Sequence, residues 1–444
     1  MIFTLSSKEF FSEKKILHYL TEDNPFVYDT LGNKYIDEAK KETAFSVLDT
    51  TLSTKFDNKR YPASDGDFLD ISMSKPMENG LDLVVGFRKA EGVQEYNNIK
   101  TSEQGELRLG ISVPVFELIQ DMNARKYTLQ SASLQSVKSN FKFKDNLRHF
   151  YAKLVSVYTN LLYYKSILEL EEQLFSKAKQ RKYFIEKKVE AGDAPRVALL
   201  EIEQQIINRQ QRIITAKNYY SKVLENFLNY LNLSREEFFE RYTLMQLIAV
   251  PKKHINIEKA MSIALRNRPD LEILAYEKSQ LGLEKKHNEL LKYPKLNVGM
   301  YAVHDFKYDN GMKVMLDLEF PLQRRRYRGK GKEIQRSLEN IDNKKEKALR
   351  ILKMNLTNIV NSLEMIRQNI QNVEREITLV ERLENVEQRK YTLGASNLFM
   401  LNQREIYSLE IKKTYLKYTL QYLLLVQSAE KEMGKSFEGA DILR

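Results

Sequence analysis

The chain contains no cysteine and no tryptophan, and only 16 of its 444 residues are glycine and 9 proline. Lack of cysteine excludes a disulfide framework, a thiolate metal site, a cysteine nucleophile and, in this form of the chain, an acylated N-terminal cysteine. So few helix breakers, unevenly spread, call for long uninterrupted helices. No run of about 18 apolar residues occurs, so no transmembrane helix is predicted. The start, MIFTLSSKEFF, has neither a basic n-region nor an adequate apolar h-region, so no signal peptide is visible and a longer precursor is expected. Net charge is +11, a sign that suits nucleic acid or an anionic membrane. However, Lys and Arg are interleaved with Asp and Glu along nearly the whole length, as on solvated helix faces, and no nucleic-acid module is recognisable. His18, His149, His254, His287 and His304 share no metal-ligand spacing. No Ser/His/Asp grouping emerges, so the expectation is no enzyme, no metal and no cofactor.

What is present begins with strand-period alternation. In Pro294 to Pro321, Leu296, Val298 and Met300, then Leu316, Leu318 and Phe320, recur at every second residue, with Asn297, Gly299, Asp317 and Glu319 on the other face. This predicts strands at about 295–304 and 312–320, separated by a loop carrying Asp309, Asn310 and Gly311. A second hairpin is predicted at about 81–90 and 106–114. There Leu81, Leu83, Val85, Phe87, Leu107, Leu109, Ile111 and Val113 oppose Asp82, Gly86, Arg88, Arg108, Gly110 and Ser112. Each strand is roughly ten residues, the length a tilted strand needs to cross a bilayer. A lone hairpin is marginal in water, so these must pair further.

Everything else reads as helix. Glu13 to about Ser53 is helical with a breaker at Asn24-Pro25, and Pro62, Gly66, Pro76 and Gly80 end it. A long helix at about 116–190 is followed by a break at Ala191 to Pro195 and a helix to about Leu233. Ser234 to Ile257, with Pro251, is a mixed connector. A helix from Ile257 to Leu291 is broken at Asn267-Arg268-Pro269. A second long helix occupies about 323–391, and a last one follows Leu393 to Ser396 and runs to about Met433. At 1.5 Å per residue each long helix spans roughly 100–110 Å, a length that two shorter helices stacked end to end can match. The strands would then sit at one end of a rod and the Gly192 and Gly394 turns at the other. The order of elements occurs twice, in 1–256 and 257–444. Ile16 to Pro25 aligns with Ala260 to Pro269, Val113-Pro114 with Phe320-Pro321, and Ala191-Gly192 with Leu393-Gly394. Units this long indicate duplication of a whole supersecondary unit.

The chain resembles the TolC family of outer-membrane efflux and secretion channels. The resemblance is carried by Asn267-Arg268-Pro269-Asp270-Leu271 with Ala275, by Tyr293-Pro294-Lys295-Leu296, and by the strand endings Val113-Pro114-Val115 and Phe320-Pro321-Leu322. The turns Val189-Glu190-Ala191-Gly192 and Tyr391-Thr392-Leu393-Gly394 complete it, so that it covers residues from about 13 to 433. It implies a mainly α protein with a β-barrel portion. In that family a homotrimer takes four strands from each subunit into one 12-stranded membrane barrel, and long helical hairpins form a periplasmic tunnel. Asp82, Arg88, Arg108, Ser112, Asn297, Asp317 and Glu319 would then face the lumen, and the apolar faces would meet outer-membrane lipid.

The same resemblance implies a passive export duct of a tripartite efflux pump or type I secretion system, in the outer membrane of a Gram-negative bacterium. The tips Gly192, Asp193, Ala194, Pro195, Gly394, Ala395, Ser396 and Asn397 would dock a periplasmic adaptor serving an inner-membrane transporter. They would equally close helix ends in a left-handed conformation. Tyr391 matches a tyrosine of the family's closed entrance. Ala198, Met400 and Gln403 stand where aspartates are frequent, which departs from an acidic ring gate. The basic tract Arg324 to Lys332 lacks the GxxxxGK[ST] arrangement; it would lie at a lipid headgroup surface or simply open a solvated helix. Tyr96, Tyr301, Phe306 and Tyr308 are candidates for an aromatic girdle. The alternative reading is a soluble coiled-coil scaffold or an adaptor-like interaction protein.

Overall fold

The computed structural model describes residues 8–61, 64–92, 101–247 and 255–435; Pro62, Tyr96, Pro251 and His254 lie outside them. The strands are β1 (Glu9–Phe11), β2 (Thr51–Tyr61), β3 (Ser64–Pro76), β4 (Asp82–Gly92), β5 (Glu106–Pro114), β6 (Tyr242–Leu244), β7 (Lys295–Asp305) and β8 (Asp309–Glu319). The helices are α1 (Pro25–Ala44), α2 (Val115–Ile119), α3 (Ala124–Glu190), α4 (Val197–Leu231), α5 (Arg235–Arg241), α6 (Ile257–Asn267), α7 (Pro269–Leu290), α8 (Arg325–Thr392) and α9 (Leu398–Glu432). They divide into two compact units, each assembled from separate segments and each drawing on both sequence repeats. One comprises Met1–Leu31, Lys144–Pro269 and Ala348–Arg444, the other Gly32–Phe143 and Asp270–Lys347.

The second unit is organised by one antiparallel sheet of six strands in the order β2-β3-β4-β5-β7-β8. The four expected strands are all present, and β2 and β3 are additional. The helix expected from Glu13 to Ser53 therefore stops early: a 3-10 turn spans Glu13–Tyr19, α1 ends at Ala44 and a second 3-10 turn spans Phe45–Leu48. From there Leu52, Thr54 and Phe56 alternate opposite Met73, Ile71 and Leu69 of β3. The strand count is corrected from four to six. Leu81 lies in the turn before β4, not in the strand.

The loop expected at Asp309 to Gly311 is also corrected, because the turn is Phe306 to Tyr308 and β8 already begins at Asp309. The reason is local. Asp305 Oδ1 accepts hydrogen bonds from the Lys307 and Tyr308 amides at 2.9 and 3.1 Å, which folds the chain three residues earlier than the Asp-Asn-Gly signal. Asp309, at φ 75, supplies the left-handed residue that follows such a turn.

Both long helices start later than the alternation suggested, at Ala124 and Arg325. Each is preceded by a non-glycine residue in the left-handed region, Asp121 and Arg324, both at φ 48. The short helix α2 intervenes only before the first of them. Helix starts repeat as well: α1 and α7 begin at Pro25 and Pro269, the first helical position, where a missing amide costs nothing.

In the first unit the long helices carry apolar residues at heptad spacing, such as Leu147, Leu154 and Leu161 of α3 and Leu356, Leu363 and Ile370 of α8, all buried. That is the knobs-into-holes seam of coiled-coil packing. Among the described residues the region Ser234 to Ile257, read as a mixed connector, holds α5 and β6, and β6 pairs in parallel with β1. Their side chains close an aromatic cluster: the Phe11 ring lies 5.1 to 5.6 Å from those of Tyr242, Phe238, Tyr158 and Phe227. Phe11, Phe227 and Phe238 are fully buried. Replacing Phe227 with Ala should cost about 3–5 kcal/mol through lost burial and an unfilled cavity. Chemical denaturation of the purified chain checks it, and a change below about 1 kcal/mol would mean that the cluster is not a packed core.

Candidate functional site

Register decides what the sheet can do. With period-two side chains, pairing places every second residue of all six strands on a common face. Leu52, Met73, Val85, Leu109, Ala302 and Met312 fall on one face. Asp82, Arg88, Arg108, Ser112, Asn297, Asp317 and Glu319 fall together on the other. The apolar face is open in the single chain: Leu52 is 72% exposed, Met312 78% and Leu316 70%. The polar face carries a charge cluster. Arg88 Nη2 lies 2.6 Å from Asp70 Oδ2, Arg108 reaches the other oxygen of Asp70, and Glu106 is within 3.6 to 3.7 Å of both guanidinium groups. Tyr301 belongs to this polar face, not to an apolar girdle. Its ring occupies the room above Gly110 and Gly299, where a Cβ would come within 2.3 and 2.8 Å of ring atoms. Phe306 and Tyr308 are exposed at the β7–β8 turn.

The basic tract opens α8. Arg324 stacks over the Phe320 ring at 5.1 Å, Arg328 Nη2 donates to the Gln323 carbonyl at 2.8 Å, and Lys330 pairs with Glu284 at 2.7 Å. Part of its charge is therefore committed to holding the helix start.

The two glycine turns in the other unit are closed identically. Asp193 N–H donates to the Lys188 carbonyl at 2.8 Å and Gly192 N–H to Val189 at 3.1 Å. Ala395 N–H donates to Lys390 at 2.8 Å and Gly394 N–H to Tyr391 at 3.1 Å. Gly192 and Gly394 sit at φ 80 and 77. These are two Schellman motifs, which favour glycine because a Cβ is strained at that φ. After the second, Asn397 caps α9 by accepting from the Met400 amide at 2.9 Å. One cluster joins the turns: Ile185, Ile202 and Leu398 are buried together, with Val189, Ala198, Leu199 and Tyr391 packed on them. Ala198 and Tyr391 thus serve as packing, whereas Met400 and Gln403 are exposed. At the turns Leu393 is 83% exposed, and Val197, Leu200 and Phe399 are exposed as well.

This arrangement of strands and long helices is shared with solved structures. The outer membrane channel CmeC of Campylobacter jejuni matches with TM-score 0.70 at 12% identity, over 97% of this chain and 87% of that one. The outer membrane protein VceC of Vibrio cholerae matches with TM-score 0.70 at 10% identity, over 95% and 96%. The MtrE outer membrane channel of Neisseria gonorrhoeae matches with TM-score 0.67 at 12% identity, over 96% and 89%. The chain has the TolC fold. No protein-family model and no curated protein sequence matches it.

Within the TolC fold of this chain lies a buried ionic triad that the sequence reading missed. Glu405 of α9 is bracketed by Arg181 of α3 and Arg209 of α4, all three buried. Arg181 Nη1 lies 3.1 Å and Arg209 Nη2 2.8 Å from Glu405 Oε2. Arg209 also donates to the Leu174 carbonyl and to Asn402 Oδ1, both at 2.7 Å. A signal was available: Glu405 continues the stripe Leu398, Leu401, Ser408, and Arg209 lies between Ile202 and Ala216 at heptad spacing. A cavity of about 520 Å³, bounded by Arg181, Phe184, Glu384, Tyr391 and Glu405 among others, adjoins the triad.

Burial pushes the Glu405 carboxyl up, but hydrogen bonds and charge from Arg181 and then Arg209 outweigh it, and the group stays below its ordinary 4.5. Burial lowers Arg209. A depressed carboxylate contributes stability above the unfolded value that is lost as pH falls through the folded one. Glu405→Gln leaves two buried cations without a counterion, and should destabilise the helices by about 3–5 kcal/mol at neutral pH. The gap between wild type and variant should narrow as pH drops below about 4.5, the ordinary carboxyl value. Thermal melts followed by circular dichroism across that window measure it. A gap independent of pH would show that the charge of Glu405 is not what stabilises the triad.

Proposed function

We propose that this chain is the outer-membrane channel component of a tripartite efflux pump or type I secretion system, a passive export duct of a Gram-negative bacterium. One observation carries the reading: a sheet of strands 9 to 13 residues long has an exposed apolar band on one face, with Leu52, Met73, Leu83, Leu109, Met312 and Leu316, and a charged opposite face. Such strands match the span of a tilted membrane strand, and backbone in hydrocarbon is satisfied only by helices or closed barrels. No helix among the described residues is long and apolar enough to cross a membrane, so the sheet is the candidate spanning element. In this reading copies of the chain, three by analogy with the TolC family, share a barrel. The helical hairpins enclose a periplasmic tunnel. The paired turns, with exposed Leu393, Val197 and Phe399, dock a periplasmic adaptor and through it an inner-membrane transporter. Tyr391, Ala198, Met400 and Gln403 surround the entrance without an acidic ring.

The two faces separate this reading from a soluble scaffold. On β5, Leu109→Arg puts a cation into the apolar face and should cost about 2–4 kcal/mol at mid-bilayer; the measurable result is loss of assembled protein from the membrane fraction. Ser112→Arg, on the polar face of the same strand, should assemble normally. Equal behaviour of the two variants, with wild-type protein extracted without detergent, would sink the membrane assignment.

At the turns, Gly394→Val and Leu393→Glu should abolish export of the pump's cargo while membrane oligomers persist. Nothing lies within 4 Å of a Cβ at Gly394, so the damage is confined to the turn and whatever docks there. Unchanged export by Leu393→Glu would remove the turns from the docking surface.

A further inference from the structure

We infer that strands β2 and β8 are the joining edges between copies of this chain, paired antiparallel with Thr51 opposite Glu319 and Leu52 opposite Leu318. Each copy then supplies six strands to the common barrel instead of four. The inference rests on the membrane-barrel reading above and concerns how that barrel closes.

Among the described residues, β2 and β8 are the strands of this sheet with a neighbour on one side only. Because every pair in the sheet is antiparallel, an even number of strands leaves the two edges running in opposite directions. The β8 edge of one copy therefore accepts the β2 edge of the next as one more antiparallel neighbour. Both edges are 11 residues long, so they can pair along their full length.

Side-chain parity restricts the register to steps of two. Apolar Leu52 and Phe56 must share a face with Leu318, Leu316 and Val314. With Leu52 opposite Leu318, Asp57 faces Lys313, an opposite-charge cross-strand pair, and no like charges meet. Sliding by two residues one way puts Lys55 opposite Lys313; sliding the other way puts Lys59 there. Like charges directly opposed are destabilising.

The stagger agrees. One row of paired residues crosses the sheet as Asp309, Asp305, Glu106, Arg88, Asp70 and Lys55. In the proposed register Lys55 faces Met315 of the next copy, so the row climbs about six residues for every six strands. A barrel whose shear equals its strand number tilts its strands by about 36°, within the roughly 35–45° of membrane barrels. Three copies, each giving six strands, close eighteen, a size class that leaves an aqueous channel.

The chain has no native cysteine, so full-length protein can be tested directly. Ser53→Cys with Asp317→Cys, oxidised in outer-membrane vesicles, should give covalent dimers and trimers on denaturing gels, and neither single variant should. Val84→Cys with Asp317→Cys should give none; a cross-link there would place β4 at the joint, leave four strands per copy and overturn the proposal. Membrane-embedded oligomers that link in neither pair overturn it as well. Register has its own arm: Asp57→Lys should sharply reduce the detergent-resistant oligomer and adding Lys313→Asp should restore it, whereas additive losses refute the Asp57–Lys313 pairing. Protein recovered as a detergent-free soluble monomer would instead refute the membrane reading, which keeps the two failures apart.

Discussion

A peptide group in hydrocarbon has no water to bond, and each unsatisfied amide or carbonyl there costs several kcal/mol. In the proposed membrane reading that constraint organises the strand unit of this chain. It explains why the strands form one continuous antiparallel sheet and why the joining edges matter more than any single side chain. The alternation of apolar and polar residues is the second consequence, since a sheet with lipid on one face and water on the other must be two-sided. Charges concentrated on Asp70, Arg88, Glu106 and Arg108 fit a wet face, and exposed Leu52, Met312 and Leu316 fit a lipid one.

The helical unit obeys a different rule. Its long helices share heptad seams, which by themselves set no unique axial alignment. Glu405, placed where the stripe would otherwise hold leucine, contacts Arg181 on α3 and Arg209 on α4, and can be satisfied only when three helices are in one axial alignment. A buried ionic group adds little net stability compared with a hydrophobic one, and its better-attested use is to specify register. Located beside the glycine turns, the triad holds α9 against α3 and α4 where the two hairpins end.

Much of this was legible from residue order. The hairpins at Leu83 to Val113 and Leu296 to Leu318, the long helices and both glycine turns follow from period and breakers, because each is written locally. The β2–β3 hairpin was less so. In β2, apolar alternation lapses after Phe56 into Asn58 and Arg60, and Pro62 reads as a break. The alternation Leu69, Ile71, Met73 was a usable sign, masked by Gly66 and Pro76. The β1–β6 pairing could not be read, because it joins two three-residue segments more than 200 positions apart through Phe11 and Tyr242. Likewise, the resemblance assigns Ala198 and Tyr391 to an entrance, but only tertiary packing reveals that Leu398 sits against them.

The two repeats match at the prolines that open α1 and α7 and at their Schellman turns, but not in the six-stranded sheet, to which the first gives four strands and the second two. In the proposed barrel, closure of an antiparallel sheet explains which difference is permitted. Adding one strand would make the two edges of a copy run parallel, and identical copies could no longer join in an all-antiparallel ring. Adding a hairpin preserves the directions of both edges and requires only that the register keep the apolar faces together. The unequal repeats are therefore compatible with ring closure because the inequality is even, and barrel width can grow by a hairpin without changing the helix entries or the turns.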